Sequence, residues 1–263
     1  MALLAFAMCV NFTACSDDDP NPEPEKPSVN KERKLVEMKF IDNGTQTRNY
    51  IYDDKGHLLR VDDFGDDHNC TTDFIWGNNT IKSISDGNVR TYKLENGLIV
   101  STHDSDNDLF GGNAQIKYDS NKRRIEYKDF DSYETTTIKY IWDNDRFSKE
   151  IYSDVDNQWG NTYESTTCYE YEGKKCNGYL PLLLDQDNDI ILDAHPELMG
   201  FRITQLPSRS IEKSEHSEWI QEFDYILDEK GYVINMEIRY LTKDIESGTI
   251  REEEEQNIAF KWE

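Results

Sequence analysis

From Val36 onward the chain alternates apolar and polar residues with a period of two, which constrains its fold more than any other feature. Val36, Met38 and Phe40 alternate with Glu37 and Lys39, and Ile138, Tyr140 and Trp142 with Thr137, Lys139 and Ile141. Ile234, Met236, Ile238 and Tyr240 alternate with Asn235, Glu237 and Arg239, and Ile258, Phe260 and Trp262 close the chain in the same way. Successive strand residues point to opposite faces, so the pattern calls for strands with one buried and one wet face. No window carries a long 3.6-residue stripe, so helix is scarce. Fifteen Tyr, eleven Phe and five Trp supply large side chains that favour strands.

The strands are separated by recurring turn chemistry. Tyr52-Asp53-Asp54-Lys55-Gly56-His57-Leu58, Trp76-Gly77-Asn78-Asn79-Thr80-Ile81 and Tyr118-Asp119-Ser120-Asn121-Lys122 share one plan, as do Trp142 to Phe147 and Leu227 to Tyr232. Each runs from an apolar or aromatic strand end through Asp, Asn or Gly into a new strand. Tyr52 and Trp76 lie 24 residues apart, as do Tyr118 and Trp142, the length of a two-strand repeat. Residues 179–222 break the pattern with Leu180-Pro181-Leu182-Leu183-Leu184, an acidic loop and Ala194-His195-Pro196-Glu197-Leu198-Met199. The expected fold over 35–263 is all-β: a large antiparallel up-and-down meander curled toward a barrel, with a short helix or loop insertion near 179–222. A membrane barrel would need apolar lipid-facing positions in every strand. Here Glu37, Lys39, Lys139, Glu237 and Arg239 hold the outward positions, and mean hydropathy is −0.83, so the sheet is expected to be soluble, not membrane-spanning.

The N-terminus gives an address. Residues 1–14, MALLAFAMCVNFTA, are small or apolar and uncharged, matching a signal peptide and too short for a span. Ala14 followed by Cys15 resembles the lipobox of bacterial lipoproteins, although Phe12 stands where Leu is usual and a basic leader is missing. That resemblance implies cleavage before Cys15 and acylation of its thiol, hence a membrane partner through a lipid anchor. Ser16, Asp17, Asp18 and Asp19 resemble the acidic export signal of Bacteroidota surface lipoproteins, which implies the outer membrane, facing the extracellular side. Four of the seven prolines fall between Pro20 and Pro27, so residues 15–34 read as an extended tether.

The unit Tyr52-Asp53-x-x-Gly56-x-Leu58 is loosely similar to the tyrosine–aspartate repeats of cell-surface shell proteins. Over most of the chain after the tether there is a closer likeness. His195-Pro196-Glu197-Leu198, Leu206-Pro207-Ser208 and Phe223-Asp224-Tyr225 through Asp228-x-x-Gly231-Tyr232 resemble a domain-of-unknown-function family of Bacteroidota lipoproteins described as having a porin-like fold. The resemblance implies a large curled meander and no activity.

The chemistry the sequence offers is sparse. A net charge of −24 repels phosphate backbones, so no nucleic acid is expected as a partner. Cys168 and Cys176 flank a three-residue turn, Tyr171-Glu172-Gly173, that would set them opposite each other, either as a cross-strand disulfide or as reduced thiols beside Cys70. Asp104-x-Asp106-x-Asp108 and Asp185-x-Asp187-x-Asp189, the latter with Asp193, copy the opening of a calcium loop. Leu109 and Ile190 replace its central Gly, and Gln115 and Pro196 its closing Glu, so solvated loops compete with calcium for both. Among His57, His68, His103, His195 and His216 no zinc pairing occurs, and no nucleophile elbow, phosphate loop or dinucleotide fingerprint is present. Trp159 and Trp219, in less regular context, are the candidate ligand platform. The expected function is a non-catalytic surface-anchored domain that binds a glycan or protein ligand or serves structure, without a cofactor. The alternative is an extracellular hydrolase of a polysaccharide or other host or dietary polymer, because 53 acidic residues always leave some carboxylate pair suitably spaced.

Overall fold

The computed structural model describes residues 32–41, 45–65, 69–105, 112–130, 133–180, 190–214 and 216–263. Sixteen strands follow in chain order, beginning with β1 (Leu35–Ile41), β2 (Thr45–Tyr52), β3 (Leu58–Phe64) and β4 (Asn69–Trp76). Then come β5 (Thr80–Ser85), β6 (Asn88–Glu95), β7 (Leu98–Asp104) and β8 (Asn113–Tyr118). The third group is β9 (Arg124–Phe130), β10 (Glu134–Asp143), β11 (Arg146–Asp156) and β12 (Thr162–Glu170). The last is β13 (Arg209–Lys213), β14 (Ser217–Leu227), β15 (Val233–Asp244) and β16 (Ile250–Trp262). Each pairs antiparallel with the next, and β1 pairs with β16, Met38 opposite Phe260, so the meander curls all the way to a closed barrel. Closure leaves no unpaired sheet edge.

One end of the barrel, the turn end, carries the recurring Asp turns and both ends of the folded unit, where Lys34 and Glu263 exchange backbone hydrogen bonds of 2.7 and 2.9 Å. Asp53, Asp119 and Asp228 build the same turn three times. In each, Oδ1 accepts the backbone N–H two and four residues on: Lys55 and His57, Asn121 and Arg123, Lys230 and Tyr232. Just past five of these turn-end connections the ladder slips by one residue. Tyr52 pairs with Leu58 while Ile51 pairs with Arg60, leaving Leu59 extra, and the same happens at Val100, Ile125, Ser148 and Ile234. A bulge leaves a backbone group of its strand without a ladder partner.

The aromatic strand ends supply that partner. Trp76 Nε1 donates to Leu58 O at 2.7 Å, Tyr118 Oη to Ile99 O at 2.5 Å, Trp142 Nε1 to Arg124 O at 2.8 Å and Tyr171 Oη to Phe147 O at 2.5 Å. Trp262 Nε1 donates to Val233 O at 2.7 Å and Tyr52 Oη to Leu35 O at 2.8 Å. All six acceptors directly precede an extra bulge residue. The 24-residue aromatic spacing seen in the sequence is the spacing of these staples.

The core fills the same end. After Glu170 the chain leaves the sheet, crosses the lumen and returns at Arg209. Its two arms run antiparallel, with Cys176 N–H on Thr204 O, Leu180 N–H on Ile203 O and Leu206 N–H on Lys174 O. Its described residues include a short helix, α1 (Ile190–Ala194), then a 3-10 turn (Pro196–Met199) that ends at Gly200. Ile191, Met199, Phe201 and Leu206 are buried against Leu58, Ile99, Phe147 and Met236 of the wall. Gly200 has φ +61°, and a Cβ there would lie 2.4 Å from Lys122 O, so only glycine fits this close approach. The insertion thus spans 171–208 instead of 179–222, and residues 209–213 and 217–222 lie in β13 and β14. Their alternation is blurred because the outward Ile220 is itself buried, between Ile211 and Leu241 on the neighbouring strands.

Candidate functional site

Inward positions change character along the barrel. At the turn end they are buried and mostly apolar, the fully buried Arg124 lying over the rings of Tyr140 and Phe201; at the opposite end, the mouth, they are polar and increasingly exposed. Neighbouring strands join these polar side chains in pairs. Arg48 reaches Asp63 at 3.0 Å, Arg90 Nε reaches Asp104 at 2.7 Å, Cys70 Sγ meets Ser85 Oγ at 2.9 Å and Thr136 donates to Asp154 at 3.2 Å. Farther round, Ser210 donates to Gln221 at 3.0 Å and Tyr240 to Gln256 at 3.1 Å.

The insertion is tied to this wall through a buried charge. Asp193, in the last turn of α1, accepts from Arg48 Nη1 at 2.9 Å and from Tyr50 Oη at 3.0 Å. Burial first, and then the negative charge of Asp193, hold the Tyr50 hydroxyl pKa well above its ordinary value, so it stays a donor. Next to it His195 lies edge-on to Trp76 and Tyr52, with ring centroids 5.3 and 6.0 Å away, and its Nδ1 is 2.8 Å from Glu197. Desolvation acts to raise the Glu197 carboxyl, but the His195 hydrogen bond and charge outweigh it and bring the pKa below its ordinary value. These contacts hold a stopper in place.

The residues singled out in the sequence meet different ends. Cys15, Ser16, Asp17, Asp18 and Asp19 lie outside the described residues, as do Asp106, Asp108, Asp185, Asp187 and Asp189. Asp193 has its carboxylate occupied by Arg48 and Tyr50, and Asp104 by Arg90. Among the described residues no group of three His, Cys, Asp or Glu side chains could hold a metal ion. Cys168 and Cys176 do not face each other. Cys168 sits in β12 between Lys149 and Ile211, whereas Cys176 is buried in the insertion, and both thiols are free. The expected hairpin fails because Tyr171 is spent as a staple to Phe147, which turns the chain into the lumen instead of back along β12.

Trp159 and Trp219 are both at the mouth. Trp159 occupies the turn between β11 and β12 and is 78% exposed, and Trp219 faces the lumen from β14, 46% exposed. Tyr163, 55% exposed, faces the lumen from β12 opposite Asp154, and its ring meets Tyr152 at 6.1 Å. Sequence reading passed over Tyr163, although it shares the parity of the inward Ser165 and Tyr169.

No family model matches this chain, and no curated protein matches it. Among solved structures it is similar to a porin-like protein from Bacteroides uniformis ATCC 8492, with a TM-score of 0.69 at 16% identity over 88% of this chain and 98% of that one. The chain therefore has a porin-like β-barrel fold, and at that identity the likeness is one of fold alone. No helix among the described residues is long and apolar enough to cross a membrane, which says nothing about spanning by strands.

Proposed function

We propose that this protein is an outer-surface lipoprotein, held by an acyl chain on Cys15, whose barrel is a non-catalytic binding cup standing in water. The observation that carries the reading is the lumen, polar and exposed at the mouth and stoppered at the turn end by a pinned insertion. A barrel blocked in this way receives a ligand; it does not conduct one. A wet outer wall is supported by charged pairs along its height, including Arg60 with Asp73 at 2.8 Å, Lys117 with Glu126 at 2.6 Å and Glu218 with Lys213 and Lys243 at 2.9 Å each. Charges at such positions oppose a lipid-facing band.

The reading is tested in two stages. Cys15→Ser abolishes fatty-acid labelling and releases the protein from membranes, and replacing Asp17, Asp18 and Asp19 by Ala shields the barrel from protease added to intact cells. Membrane retention without Cys15 would defeat the anchor. The full chain is then probed against glycan and protein arrays with and without calcium, since Asp185, Asp187 and Asp189 offer the calcium-like spacing. An array with no hit in either condition defeats the binding cup.

A further inference from the structure

We infer that the lumen arc of Tyr152, Tyr163, Trp219 and Tyr240 takes a neutral oligosaccharide, whose ring faces lie on Trp219 and Tyr163. This rests on the reading of the barrel as a binding cup and narrows it to one ligand class.

The first support is the contrast among the five tryptophans. The indole nitrogens of Trp76, Trp142 and Trp262 are all committed to backbone carbonyls at the stoppered end. Those of Trp159 and Trp219 have no acceptor among the described residues, and both rings are open to solvent. Leaving a large ring exposed forgoes the stabilisation that burial would give, and exposed aromatic surface in a concave wall marks a binding place. A tryptophan pairs an apolar face with a polar N–H, which suits a sugar ring that is apolar on its C–H face and polar at its rim.

Spacing sets the size of the ligand. Thr167 on β12, Glu212 on β13 and Trp219 on β14 stand in one row across the sheet. Tyr163 lies four residues nearer the mouth than Thr167, about 13 Å along the strand, and two strands away from Trp219, about 10 Å across the sheet. Two platforms so placed fit several linked rings, not one.

Charge and hydrogen-bonding capacity set its class. The inward Arg48 and Arg90 are already bound by Asp63 and Asp193 and by Asp104, so neither guanidinium is open to an anionic ligand. Arg251, inward at the rim through its pairing with Thr242, is exposed and within electrostatic reach of Asp244, and the chain carries a net charge of −24. A bare cation would need converging carboxylates, and no group of three exists among the described residues. Around the arc stand Ser165, Thr167, Gln221 and Gln256, which both donate and accept, as sugar hydroxyls do.

The test titrates the full chain in detergent with the hexasaccharides of glucose, mannose, xylose and galactose, following tryptophan fluorescence and heat. Oligogalacturonate and a lysine-rich peptide serve as charged controls. At least one neutral sugar gives a saturable signal that persists in about 0.5 M salt, where exposed charge pairs are screened. Trp219→Ala and Tyr163→Ala each weaken that binding about tenfold or more, as loss of a central aromatic anchor does. Trp219→Phe, which keeps a flat ring, weakens it less. The inference is overturned if none of the four sugars binds, or if binding survives the double alanine variant. Salt-sensitive binding of the lysine-rich peptide alone, or an array hit limited to proteins, leaves the cup standing and removes the saccharide.

Discussion

The two ends of this barrel use the same residue types for opposite purposes. At the turn end, Trp76, Trp142 and Trp262 are half-buried or buried, their indoles tied to carbonyls that bulges have freed. At the mouth, Trp159 and Trp219 are open to solvent with no such tie. Carboxylates divide in the same way. Asp193 is buried within the stopper and bound by Arg48 and Tyr50, whereas Glu252, Glu253, Glu254 and Glu255 lie exposed in β16 near the mouth. The lesson is that stability and recognition are separated along the barrel axis, so changes at the two ends have unequal thermodynamic consequences.

The largest effect is expected from Asp193→Ala. It removes the acceptor shared by the half-buried Arg48 guanidinium, which keeps Asp63, and the buried Tyr50 phenol, and two hydrogen bonds to a charged group are together worth about 3 kcal/mol or more. Chemical denaturation of the variant should show a loss of that order, and a loss below about 1 kcal/mol would mean that the stopper is not held by this contact. Next comes Trp142→Phe, which keeps a ring but orphans the Arg124 carbonyl. A buried acceptor left unsatisfied costs about 1–3 kcal/mol, measurable in the same way.

A third prediction concerns acid. In Asp53, Asp119 and Asp228 desolvation acts to raise the carboxyl pKa, but hydrogen bonds from the turn backbone and from His57, Arg123 or Arg33, with the charges of those side chains, lower it. A lowered folded pKa means that the contribution to stability is complete above the unfolded value of about 3.9 and disappears as pH falls through the folded value. The denaturation midpoint should therefore gain no pH dependence from these turns near neutrality, where their contribution is complete, and decline below about pH 4, with a shallower decline in Asp228→Asn. An identical acid limb in wild type and Asp228→Asn would remove the turn from the explanation. The smallest effect is expected at the mouth, where Trp159→Ala and Trp219→Ala should each alter stability by no more than about 0.5 kcal/mol. A loss comparable to that of Trp142→Phe would erase the division between the ends.

Much of the architecture can be read directly from the chain. Strand periodicity, the Asp turns and the aromatic strand ends are local properties, and they recur often enough to announce a meander. The lumen site is less visible. Trp219 can be singled out only as irregular, because its sequence neighbours Glu218 and Ile220 do not alternate cleanly, and the reason is that Ile220 packs between Ile211 and Leu241 on the outer wall. Tyr163 looks like any strand tyrosine until β12 is seen to carry Ser165 and Tyr169 on its inner face. Of the two states left open for Cys168 and Cys176, the structure has the free thiols, because the local hairpin that would pair them gives way to one distant hydrogen bond from Tyr171 to Phe147.

Sequence alone determined that the chain would pair its neighbours into an antiparallel sheet, because alternation and turn chemistry act over a few residues. Tertiary structure alone decided that β1 would meet β16, that Leu180, Ile191 and Phe201 would stopper the lumen, and which tryptophans would be spent as staples. Those outcomes depend on partners brought together by closure, such as a carbonyl exposed at a bulge or an arginine waiting beneath a helix. No short-range pattern encodes the distance between groups that only the closed ring makes neighbours.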